Sequence, residues 1–378
     1  MDGESNQHKW THPASTEEVA DLIRSACADS IRLRICGHEP MALEASGVGC
    51  MALDRMADVI DYPARDMTIT VQAGMPIATL ASVLAVENQQ LPIDVFDCGT
   101  TVGAAVAGNV AGPRQFGYGT LRDYVIGIEG VDGQARVFHS GGRVVKNVAG
   151  YDLCRLMVGS RGALGVLTQV TFKLKPIPDH SMLRTFRFSD AAQLESALDR
   201  LNTSAANPVV LDYTFAPGSK ELQSSVSTDN LAVPYSLHLG VEGTESSCEW
   251  QIEQLKNECE GGEEVHFDGQ EAASVAQHCR SWGYGWSEPM IICLPSKVIP
   301  VSSDLADRGY STVGHAGNGK VFVLDNGSSQ KIREVCDDVT ALHGGTVTEW
   351  DQDHPAQRTS PYSSRLRAAF DPNGVFTR

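Results

Sequence analysis

The sequence predicts an α+β fold in two domains, and three observations carry that prediction. Helical and strand periodicities are mixed along the whole chain. Two glycine-rich segments, 99–119 and 159–165, lie in the first half. After Pro176 and Pro178 the elements follow the order β-α-β-β-α-β, the split pattern of a ferredoxin-like unit. The boundaries read as 1–178, 179–350 and a separate tail, 351–378.

Each element has its own local signal. Ser15 with Glu18 three residues on is a capping box, and Val19, Leu22, Ile23 and Ala26 fall on one face of the helix behind it. Apolar and charged residues alternate over 31–35, and 67–74 is a second strand. Pro76 opens a helix that turns Ile77, Leu80 and Leu84 inward. A hairpin over 125–138 turns at Asp132-Gly133. A short helix at 151–158 and a strand beginning at Val166 flank the turn that holds Gly159, Gly162 and Gly165.

In the second domain, strands at 182–188, 208–215, 234–243 and 263–267 are interleaved with helices at 189–203 and 245–262. A helix near 271–280 follows. A looser version of the pattern then runs from 290 to 349, which reads as a candidate internal duplication.

The 378 residues are 42% hydrophobic and 20% charged, as in an ordinary soluble protein. A net charge of −17 argues against nucleic acid and against anionic membrane surfaces. No run approaches the ~20 apolar residues of a membrane span. The polar start, "MDGESNQHKWTHPAS", lacks the apolar core of a secretory signal, so the expected location is cytoplasmic. The ten cysteines include no C-x-x-C, which predicts neither a zinc site nor an iron–sulfur cluster; no metal is expected.

Small residues at 99–119 and 159–165 let something approach bare backbone. Successive unencumbered N–H groups form anion-binding concavities, and phosphates are their usual occupants. Neither segment is a P-loop or a G-x-G-x-x-G fingerprint. Close packing of a helix on a strand uses the same residues, and both readings stand at this level.

The segments "TTVGAAVAGNVAGPRQFGYGTLRD" and "GGRVVKNVAGYDLCRLMVGSRGALGVLTQVTFKLKP", with the ending "AAFDPNGVFTR", resemble the vanillyl-alcohol-oxidase-type flavoproteins. Within them, "VVKNVAGYDL" followed by "GS-x-G-x-LGV" is most similar to the FAD-binding E subunits of bacterial glycolate oxidases. The resemblance implies a two-lobed PCMH-type FAD-binding domain, then a ferredoxin-like cap domain, with the tail returning to the flavin domain. It implies FAD as cofactor and a small 2-hydroxy acid as substrate. It also implies partners: a larger flavin subunit and an iron–sulfur subunit.

By the same resemblance, Gly99, Thr100, Thr101, Gly103 and Ala104 present backbone to the FAD pyrophosphate. Asn109, Gly112 and Pro113 run along the flavin side. Gly159, Ser160, Gly162, Gly165 and Val166 meet the isoalloxazine or adenine end, although Val166 reads equally as a core strand residue. The early phosphate loop corresponds to 34–47, which keeps Gly37 but carries Glu39 and Pro40. His38 there, and Cys98, stand where related flavoproteins carry covalent attachments.

His315, between glycines in "VGHAGNGKVFV", is the candidate base or substrate contact. Arg114 and Arg122 are candidates to hold a carboxylate or phosphate, and "SWGYGW" at 281–286 to wall a cleft. Three functions fit: a 2-hydroxy-acid oxidase subunit, a scaffold subunit that has lost FAD, or a stand-alone flavin oxidoreductase of another alcohol.

Overall fold

The computed structural model describes residues 10–37, 48–95, 99–142, 152–215, 235–265, 289–324, 329–348 and 361–377. The chain divides into two compact units. The first comprises 1–110, 120–177 and 352–378; the second comprises 111–119 and 178–351.

The first unit holds two main sheets. A parallel sheet orders Trp10–Thr11, Val48–Ala52 and Arg32–Cys36. A five-stranded antiparallel sheet orders Val59–Asp61, Thr68–Gln72, Val166–Lys173, Val125–Val131 and Val137–Gly141. The helix Thr16–Asp29 buries Val19 and Ile23 completely. Its cap differs from the reciprocal box by one residue: Ser15 Oγ accepts the Glu18 N–H at 3.2 Å, but the Glu18 carboxylate accepts from Ala14 N–H at 2.9 Å.

The tail joins the parallel sheet as a further edge. Leu33 N–H donates to the Val375 carbonyl at 2.7 Å, and Thr377 N–H donates to Leu33 at 2.9 Å. The buried Asp371 carboxylate accepts from the N–H groups of Val375 and Phe376, at 2.8 and 3.1 Å, and so turns the chain into that edge.

The second unit is one antiparallel sheet of eight strands in two halves. The first half orders Glu263–Val265, His180–Arg187, Tyr235–Gly243 and Val210–Phe215. The second orders Ser311–His315, Lys320–Leu324, Met290–Ile292 and Thr346–Thr348. Numbered within each half, the spatial order is 4-1-3-2 and its mirror, the ferredoxin-like arrangement made twice. The halves join through their second strands, Val210–Phe215 on Ser311–His315. The looser repeat in the sequence is this second half.

The helices Ala191–Leu201, Glu245–Glu258, Val298–Asp307 and Ser329–His343 supply Leu194, Leu255, Leu305 and Val339 to one face of the sheet. There they bury Leu211, Tyr213, Phe215, Leu237 and Val321. Because strand residues alternate between faces, Asp212, Thr214, His238 and His315 lie on the other face, and all four are buried.

One segment is placed differently from the expected 1–178 boundary. Residues 111–119 cluster with the second unit. Gly117 N–H donates to the Val209 carbonyl at 3.2 Å, and a Cβ on Gly117 would lie 2.6 Å from Val209 Cα. A residue that must bring its backbone onto another backbone looks, in sequence, like any glycine of a glycine-rich loop. No helix among the described residues is long and apolar enough to cross a membrane.

Candidate functional site

In the first unit the glycine segments meet. Thr101 caps the helix Val102–Gly108, and Asn109 ends it in the left-handed conformation, φ 50° and ψ 49°. The turn 159–165 lies on that helix end: Gly159 N–H donates to Val106 at 3.0 Å and Arg161 N–H to Ala107 at 2.9 Å. Gly159 and Gly162 sit at φ +83° and +71°, where a side chain is strained, and a Cβ on Gly162 would meet nothing within 4 Å. Two polar atoms buried here, Asn109 Oδ1 and Ser160 Oγ, have no hydrogen-bond partner among the described residues. Gly37 packs against Thr101 so closely that a Cβ would be 2.2 Å from its Oγ1.

In the second unit, a polar cluster occupies the seam between the two halves of the sheet. Asp212 and His315 stand directly opposite on the two joining strands. His315 Nδ1 lies 2.8 Å from Asp212 Oδ1, and each side chain is 1% exposed. A carboxylate only accepts, so Nδ1 carries the proton and Nε2 is left as the acceptor. Nε2 is buried without a hydrogen-bond partner among the described residues. The Phe322 ring meets the imidazole edge to face at 5.3 Å.

On the next strand Lys320 stands opposite His315, and its Nζ donates to Gln115 Oε1 at 2.6 Å. Burial pulls the Lys320 ammonium down to about 8, against the charge of Asp212, which acts in the other direction. Gly314 admits this geometry, since a Cβ there would lie 2.2 Å from the Lys320 carbonyl and 2.8 Å from the Tyr213 ring. In the same unit, the Glu242 carboxylate accepts from Tyr118 Oη at 2.6 Å and pairs with Arg114 at 3.5 Å.

Comparison with known proteins gives the first unit its cofactor. Residues 10–141 match the family model described as FAD binding domain. The chain carries an FAD binding domain. Glycolate oxidase subunit GlcE of Escherichia coli is 36% identical over 171 residues, covering 44% of this chain and 49% of that protein. Glycolate oxidase subunit GlcD of Bacillus subtilis is 27% identical over 418 residues, covering 96% and 86%. The chain spans about half the length of the first curated relatives it matches, among them an uncharacterized FAD-linked oxidoreductase of Mycobacterium tuberculosis, 29% identical over 58% of this chain and 48% of that protein. In fold, the chain is similar to 4-ethylphenol oxidase from Gulosibacter chungangensis, with a TM-score of 0.74 at 15% identity over 98% of this chain and 89% of that one.

The residues of the FAD domain fit such a group at one place above all. The bare turn at Gly159 and Gly162, with two unpartnered buried acceptors, Asn109 Oδ1 and Ser160 Oγ, suits a polar heterocycle or a phosphate. Other residues expected to face FAD are used by the fold itself. Gly103 N–H donates to Ala73 at 2.7 Å and Ala104 N–H to Thr101 Oγ1 at 3.4 Å, so these two amides already have protein partners. The Thr100 carbonyl takes Ile77 N–H at 3.0 Å, and Gly99 bends the chain at φ +82°. Gly165 brings the FAD domain's central strands together, for a Cβ would lie 2.7 Å from the Val131 carbonyl, and the Val166 side chain is in the core. Gly112 and Pro113 belong to the segment that clusters with the second unit.

Arg122 donates to the Val158 carbonyl at 3.4 Å, beside the glycine turn. His38, Cys98 and 281–286 lie outside the described residues. Asp212 and Lys320 were missed by sequence reasoning. The available signal for Asp212 was a lone charge inside the apolar strand "VVLDYTF".

Proposed function

We propose that this chain is an FAD-dependent oxidoreductase acting on the CH–OH group of a small 2-hydroxy acid of the glycolate kind. It works as one subunit beside a larger flavin subunit and an iron–sulfur subunit. The observation that carries this reading is the buried Asp212–His315 pair with its unpartnered Nε2, in a chain that also carries an FAD domain. FAD, when bound, supplies the two-electron acceptor that oxidation of an alcohol carbon requires.

The chain's own residues supply the proton path. His315 Nε2 accepts the hydroxyl proton, and Asp212 holds the ring in the tautomer that leaves Nε2 free and stabilises the imidazolium that forms. In the FAD domain, Asn109, Ser160 and the backbone at Gly159–Gly162 would hold the cofactor. The names of two relatives, glycolate oxidase subunits, support the substrate class. The cysteine spacing, which offers no cluster site, supports an external electron partner.

Anaerobic mixing of the purified yellow protein with glycolate or D-lactate tests the reading. Bleaching of the flavin band supports it; a bound flavin that no 2-hydroxy acid bleaches overturns it. Acid precipitation of the same sample reports whether the flavin is covalently attached, and co-purification identifies the partners.

A further inference from the structure

We propose that Lys320, steered by Gln115, is the group that binds the carboxylate of the substrate, so that His315 and Lys320 together read a hydroxyl and a carboxylate on adjacent carbons. The inference rests on the reading of His315 as the proton acceptor. Three observations lead to it.

First, strand register sets the two side chains side by side. His315 pairs with Asp212 on one side and with Lys320 on the other, and all three share the face of the sheet opposite the four long helices. Neighbouring strands are about 4.5–5.5 Å apart at Cα, a span matched to two functional groups one bond apart on a small acid. Second, His315 Nε2 is buried without a hydrogen-bond partner among the described residues. Nδ1 is turned to Asp212 on one neighbouring strand, Nε2 is the remaining acceptor of the ring, and Lys320 stands opposite His315 on the other neighbouring strand. A buried acceptor left open in this way implies a donor that arrives with a ligand.

Third, Lys320 is a half-buried ammonium whose hydrogen-bond partner among the described residues is the neutral amide oxygen of Gln115 at 2.6 Å. An ammonium has three N–H donors, and that contact uses one. Asp212, whose Oδ1 faces His315, attracts that ammonium through its charge, and the ammonium's two remaining N–H donors suit an anion. An anionic ligand would engage them. Gln115 restricts the long lysine side chain to one position. The hydroxyl goes to His315 because only an acceptor can take its proton; the carboxylate goes to Lys320 because only a cation compensates its burial.

The experiment uses the flavin-loaded full chain and oxalate, a carboxylate that cannot be oxidised in this way, with binding measured by titration calorimetry. Lys320→Met should weaken oxalate about 30-fold, the range of a hydrogen bond to a charged group. Lys320→Arg, which keeps the cation, should recover most of the loss, and Gln115→Leu should weaken binding a few-fold. Flavin content and circular dichroism verify that each variant is folded; if Lys320→Met does not fold, Gln115→Leu and Lys320→Arg decide alone. A folded Lys320→Met that binds oxalate as the wild type does overturns the proposal, as does wild-type protein that binds no carboxylate. Failure of the underlying reading looks different: oxalate binding that depends on Lys320, with no 2-hydroxy acid able to bleach the flavin.

Discussion

The glycine turn of the FAD domain and the polar seam of the second unit are built from opposite materials. Around Gly159 and Gly162 there is bare backbone, and the buried polar atoms Asn109 Oδ1 and Ser160 Oγ have no hydrogen-bond partner among the described residues. Along the seam, side chains supply nearly everything. Asp212 orients His315, Gln115 holds Lys320, and Thr185 and Thr214 hold both nitrogens of the buried His238 at 2.9 and 3.1 Å. The first arrangement suits a large ligand that brings its own functional groups. The second suits a small ligand that must be told apart by charge and proton affinity. On the proposed function, the difference teaches that a cofactor cradle is marked by what is missing, and a reaction site by what is paired.

That contrast can be broken at several points. The largest effect is expected at the seam. His315→Gln should slow flavin reduction by about 10²–10⁴-fold while leaving flavin content unchanged, as rapid-mixing spectroscopy would measure. Equal loss of flavin and rate would mean that the seam is structural.

Next is Gly165→Val in the FAD domain. With φ at +155° and the Val131 carbonyl 2.7 Å from the new Cβ, the strand must shift. Stability should fall by about 3 kcal/mol or more, seen as a lower denaturation midpoint and loss of yellow colour. Gly162→Ala, whose Cβ meets open space, should keep the fold better and lose flavin instead.

A third test uses pH. Lys320 titrates near 8 in the fold and near 10.5 when unfolded. The folded state therefore gives up this proton first as pH rises, and this group's contribution to stability increases between those values. Below about pH 8 the buried charge is a liability that Lys320→Met removes. The variant should be about 2 kcal/mol more stable at pH 7, and its advantage should vanish by pH 10.5. Taking the difference between variant and wild type cancels other groups that titrate in this range, such as the Cys36 thiol, which burial raises to about 11. A pH-independent difference would mean that Lys320 is not buried as described.

The smallest effect is at Ser160. Ser160→Ala should weaken FAD by about 1 kcal/mol, measured by flavin release, and should leave the apo-protein as stable or slightly more so. An apo-protein that is destabilised would show that Ser160 Oγ has a partner within the chain.

What could be read in advance was local. The capped helix at 16–29, the Asp132-Gly133 hairpin, the β-α-β-β-α-β order and the two glycine segments all depend on residues close in sequence, whose patterns are written directly in the chain. His315 was found because it stands between glycines, but not the reason for it. The pair it forms with Asp212 spans 103 residues and follows from the register of two strands from different halves of the sheet. Lys320 carries no local signal of its own; the strand register sets it opposite a buried imidazole. Gln115 and its whole segment cluster with the second unit, which they meet through Arg114, Gln115, Gly117 and Tyr118, contacts that composition does not announce. Even the amides of Gly103 and Ala104, which the family resemblance offers to the pyrophosphate, donate to Ala73 and Thr101. By itself the sequence determined which elements form and where backbone is left bare. Only the tertiary structure decided which side chains meet and which donors are already engaged, because pairing and satisfaction of hydrogen bonds are properties of contacts between distant residues.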